Sequence, residues 1–92
     1  MVTNTNEPME QRVQRASEVQ ARYADMLMRL PHVVGVAVGF TSHAGIRTED
    51  VGVIVMVDHK LPLAEIADDD LIPRELEGVP VDVQETGVFS AY

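Results

Sequence analysis

The chain has 92 residues, with seven lysines and arginines against fifteen aspartates and glutamates, and a formal net charge of −8. That balance opposes nonspecific attachment to nucleic acid or to an anionic membrane, because phosphate attraction needs a field of the opposite sign. The absence of cysteine excludes disulfides and thiolate metal sites, and with no tryptophan and 4% aromatic residues the core must come from Val, Leu, Ile, Met and Ala.

A chain of this size reads as one α/β domain over residues 7–87, between a disordered start at 1–6 and a tail at 88–92. Its scaling gives burial of about 64% of the unfolded surface on folding, toward the marginal end for a lone subunit. No apolar run approaches the ~20 residues of a membrane span. The opening MVTNTNEPMEQR lacks the basic start and apolar stretch of a signal peptide, so the expected location is cytoplasmic.

In chain order, Asn6 is the expected N-cap of a helix whose first turn contains Pro8. Met9, Val13, Ala16, Val19, Tyr23, Met26, Leu27 and Leu30 then recur at spacings of three and four, which predicts one long amphipathic helix stopped by Pro31. At 1.5 Å per residue it would be roughly 34 Å long.

VVGVAVGF, residues 33–40, predicts a strand with no polar side chain on either face. A strand of that length, about 27 Å, is shorter than the helix, so the helix would overhang the sheet. TSHAGIRTED reads as a polar loop, and VGVIVMVD as the second strand. A long connection at 59–78 follows, with one helical turn over Leu63–Ile66, an extended anchor at Ile72-Pro73 and a turn at Gly78. VPVDVQE alternates cleanly as a third strand, and Pro80, which lacks a ladder donor, argues for an edge position.

Alternation divides this three-stranded sheet into unequal faces. Val34, Val36, Val38, Phe40 and the odd-numbered valines 51–57 and 79–83 make a first face for the helix to cover. Val33, Ala37, Ile54 and Met56 lie among glycines on a second, beside Asp58, Asp82 and Gln84. Either another subunit covers that second face, or the 59–78 connection folds back over it with Leu61, Leu63, Ile66, Leu71 and Ile72. The first alternative makes an interface of Met9, Val13 and Ala16 on the overhanging helix, Val33, Ala37, Ile54 and Met56 on the sheet, and Phe89 and Tyr92 on the tail.

No constellation in the sequence carries a reaction. Ser17, Ser42 and Ser90 coexist with His32, His43 and His59, but none of the serines sits in a glycine-framed nucleophile turn. The ADDD run at 67–70 matches no calcium loop and reads as a solvated turn. Gly35 and Gly39 lie inside a strand and not between strand and helix, so they mark close backbone approach instead of a phosphate loop. No catalytic residue, metal or cofactor is assigned.

LPHVVGVAVGF, VIVMVDHKLPLAEI, DLIPREL and GVPVDVQETG together make a pattern over residues 30–87. It resembles the segment that precedes the peptidase domain in certain bacterial trypsin-like serine peptidases and, more distantly, the plant narrow-leaf type. The chain stops at Tyr92, about where such a peptidase domain would begin, so no catalytic residue carries over. The resemblance implies a small free-standing accessory module. The expected function is a non-enzymatic module that assembles into a homo-oligomer, closed or extended into a filament or tube. The alternative is a regulator or inhibitor of a trypsin-like peptidase acting in trans.

Overall fold

In the computed structural model, which describes residues 8–86, the amino-terminal periodicity closes into one helix, α1 (Met9–Met28). Pro8 takes the N-cap position, and its carbonyl accepts from the Gln11 and Arg12 amides at 3.1 and 3.2 Å. Proline is tolerated at a helix start because its missing N–H would have had no helical partner there. Asn6, the expected cap, lies outside the described residues.

Four strands follow, β1 (Val33–His43), β2 (Ile46–Val57), β3 (Glu75–Leu76) and β4 (Val79–Glu85), in the spatial order β1-β2-β4-β3. β1 and β2 are antiparallel, as are β3 and β4, whereas β2 and β4 run parallel. The fold is α+β, one helix on a mixed sheet, with one short strand more than expected. That extra strand changes the place of Pro80. The VPVDVQE strand is internal, and the two-residue β3 takes the edge; Pro80 pairs with Glu75, and the parallel ladder to β2 starts only at Val81. The missing donor therefore falls outside the parallel ladder.

The expected polar loop at 41–50 is mostly strand. Both arms run through it to a tight turn at Ala44-Gly45, where φ is 52° and 80°. Two consecutive positive φ values fit a hairpin turn whose twist matches its strands. β2 thus lengthens to 12 residues and reaches about 40 Å, while the 20-residue helix spans about 30 Å. The expected overhang does not exist: Arg12, near the helix start, donates to the Glu49 carbonyl of β2 at 3.3 Å.

The helix packs on the first face. Ala16, Leu27, Val53 and Val55 are fully enclosed there, and each buried Val or Leu contributes about 1.5–3 kcal/mol. The 59–78 connection lies on this same face. Its Ile72 packs against the helix-side core, and its Leu61, Ile66 and Leu71 line a cavity with Val57 and Val83. The alternative in which this connection closes the second face is therefore corrected: α1 spans only part of the first face, and the crossover from β2 to β4 lies over the remainder.

What crosses the second face is the hairpin itself. Gly52 makes the crossing possible, since a Cβ there would stand 2.3 Å from the Pro80 carbonyl oxygen and 2.7 Å from Thr41 Cγ2. The β1 chain passes over this bare point and reaches β4, two strands away. The Ser42 amide and hydroxyl both donate to Asp82 Oδ2 at 2.8 Å, and Gln84 Nε2 donates to the same oxygen at 3.0 Å. Partial burial works against an ionised Asp82, but these donors outweigh it and hold its carboxyl below the ordinary range.

Candidate interface at the free edge of the sheet

The two sheet edges are unlike. β3 is two residues long and carries Glu75, features that discourage pairing by another chain. β1 runs for 11 residues as VVGVAVGFTSH, with no Pro, Lys, Asp or Glu, and pairs only with β2 among the described residues. Such an edge presents a row of backbone N–H and C=O groups to any strand laid beside it.

The helix flank next to that edge continues its character. Gln20 fixes which flank this is, because its side-chain amide donates to the Val36 carbonyl of β1 at 3.2 Å. At 100° per residue, Met9, Val13, Ser17 and Ala24 lie within one sector around Gln20, with Glu10 and Met28 at its outer margin. Met9 and Val13 are 41% and 39% exposed. The other flank carries the polar anchors: Arg12 reaches β2, and Arg22 pairs with Glu77 in the β3–β4 turn. The Arg22 guanidinium and the Tyr23 hydroxyl both bond the Glu77 carboxylate and hold it below the ordinary glutamate range.

The expected interface residues separate into groups on this geometry. Met9 and Val13 are exposed on the edge-side flank. Ala37 and Met56 are half-buried on the second face, and the Met56 methyl lies over Gly35, 2.8 Å from where a Cβ would stand. Ala16 is fully enclosed between helix and sheet, which corrects its expected placement on the surface. Val33 is also corrected. A bulge between Val33 and Gly35 shifts the register, so Val33 pairs with Val57 and joins the helix-side core, and Val34 turns outward. Ile54 faces the second side as expected but is only 7% exposed, beside Gly39, Phe40 and Arg47 of the folded-over hairpin. Phe89 and Tyr92 lie outside the described residues.

Val34, Ser17, Gln20 and Ala24 were missing from the expected interface. The helical wheel already grouped the last three with Val13, but nothing in the sequence revealed which flank faces the sheet edge. No helix among the described residues is long and apolar enough to cross a membrane. No protein-family model matches the chain, and no curated protein matches it significantly.

Proposed function

We propose that this chain is a non-enzymatic assembly module that joins a second copy of itself through the β1 edge and the adjoining α1 flank. The observation that carries this reading is the continuity of the β1 edge, which is free of carboxylate and lysine and has no second strand beside it among the described residues, with the apolar and neutral helix flank of Met9, Val13, Ser17 and Ala24, on a chain of net charge −8. Apart from Glu10 at its margin, the strip as described carries no carboxylate, so two like-charged copies meet there with little repulsion. An antiparallel strand pair is its own complement under a two-fold rotation, so the contact closes as a dimer. It extends the sheet across the axis and sets the two α1 flanks side by side.

Light scattering behind a sizing column tests the reading over a hundredfold concentration range. The expected mass is twice the subunit's 10.1 kDa. Val34→Lys places an edge-blocking charge at an exposed position, and Val13→Glu does the same on the helix flank. Both are expected to give folded monomers with the wild-type circular dichroism. A wild-type mass of 10.1 kDa throughout would overturn the proposal, as would unchanged dimers in both variants. The peptidase-regulator alternative rests on the tail and on the resemblance over residues 30–87, and the described residues add no support to it.

A further inference from the structure

The crossover and the end of the sheet form a half-open cavity of about 180 Å³. Its floor is Val57 and Val83, and Ile66, Leu71 and Ile72 form its walls. An apolar cavity of about 150 Å³ already admits benzene, so this one has room for about six to eight non-hydrogen atoms.

The mouth has a built polar group. His32 lines it with the backbone in the left-handed region, φ 70°, a conformation uncommon for a residue with a side chain. Two bonds to one residue hold it there: the Asp58 amide donates to the His32 carbonyl at 3.0 Å, and His32 Nδ1 lies 2.9 Å from Asp58 Oδ1. Burial is the largest single influence and raises the Asp58 carboxyl, but the bonds and charges of His32 and His59 together outweigh it and hold the group below the ordinary range. An ionised carboxylate only accepts, so in this pair Nδ1 carries the hydrogen. In the neutral imidazole this leaves Nε2 with a free lone pair, a hydrogen-bond acceptor. The His59 ring packs edge-on to His32, with centroids 5.9 Å apart, and stiffens the mouth.

The charges around the mouth choose between ligand chemistries. Glu65 and Asp70 line the cavity together with a single ammonium, Lys60, so a carboxylate ligand would meet two like charges against one opposite charge. A neutral molecule that donates a hydrogen bond has no such penalty. We propose that the crossover cavity binds a small neutral aromatic alcohol, with its ring against Val57 and Val83 and its hydroxyl donating to His32 Nε2.

Amide and methyl NMR titration of the full chain with phenol tests this, with benzoate and toluene titrated alongside. The expected result is saturable shifts centred on Val57, Ile66, Leu71 and Val83, with benzoate weaker than phenol. His32→Asn keeps a side chain that tolerates the left-handed backbone and can still donate to Asp58, but it removes the ring acceptor. It is expected to weaken phenol about three- to tenfold and to leave toluene unchanged. Non-saturable phenol shifts, shifts scattered away from the cavity, benzoate binding as tight as phenol, or equal loss of phenol and toluene in a folded His32→Asn would each overturn the proposal.

Discussion

The two faces of this sheet are closed in different ways, and the difference shows where the chain tolerates change. The first face is closed by mass: valines from β1, β2 and β4 meet Ala16, Val19 and Leu27 of the helix, and the crossover adds Ile72. The second is closed by proximity. Small residues at 35, 37, 39 and 52 let the hairpin fold across it, and the fastening is a carboxylate with three donors and not a packed side chain. On one face stability scales with side-chain volume; on the other it depends on what is absent.

The largest expected effect is on the first face. Leu27→Ala removes a fully enclosed side chain and should cost about 2–5 kcal/mol in chemical denaturation. A loss of less than 1 kcal/mol would show that the face is less tightly closed than its burial indicates. On the second face the corresponding test adds volume. Gly52→Ala drives a methyl group into the Pro80 carbonyl and Thr41, and because the nearer contact is backbone, relief requires strands to move. A cost of about 1–3 kcal/mol is expected, with weakened exchange protection at Ser42.

The carboxylate fastening gives a smaller effect with its own pH signature. The folded-state pKa of Asp82 lies below the ordinary 3.8, so the ionised carboxyl stabilises the fold above that value and loses this contribution as pH falls through and below it. Asp82→Asn should therefore be less stable than wild type at neutral pH, and the difference should narrow on acidification below about pH 4. A gap that stays constant in urea titrations from neutral pH to pH 3 would mean that ionisation of Asp82 contributes nothing. The smallest effect should come from Gly35→Ala, where the added methyl meets only the flexible end of Met56. It is expected to stay within about 1 kcal/mol, and a cost matching that of Gly52→Ala would erase the distinction between the two glycines.

The first face was largely legible in the sequence because it obeys two simple periods. Spacings of three and four located α1, and alternation located the core of β1, β2 and β4. The second face was harder to read because its decisive events are breaks in those periods. The bulge after Val33 reverses the side on which that residue falls, and a second irregularity between Phe40 and Ser42 accompanies the crossing of the hairpin. Nothing in TSHAGIRTED announces that it will fold over Ile54, since the partner that holds it, Asp82, is 40 residues away. Pro80 misled for a related reason. Its lack of a donor bars it only from donating to a ladder, and the strand meets that condition by setting Pro80 opposite Glu75 of β3 and starting its parallel ladder one residue later. The free edge of β1 depended on strand order, which no local pattern encodes. The unequal chemistry of the two helix flanks was already present in the wheel.

The parallel pairing of β2 with β4 also sets an order of events. Val53 meets Val38 through one tight turn, but it meets Val81 only after the whole crossover has been laid down. Closing the longer loop costs more chain entropy, so the helix and hairpin should assemble early and β4 should dock last. Kinetic analysis of Val81→Ala is then expected to show faster unfolding with little change in folding rate, and Val38→Ala to slow folding. A nascent chain that has not yet emerged past Leu76 would hold β2 with one side unpaired. Until β4 arrives, two strands of the described sheet, β1 and β2, each have a side without a neighbour.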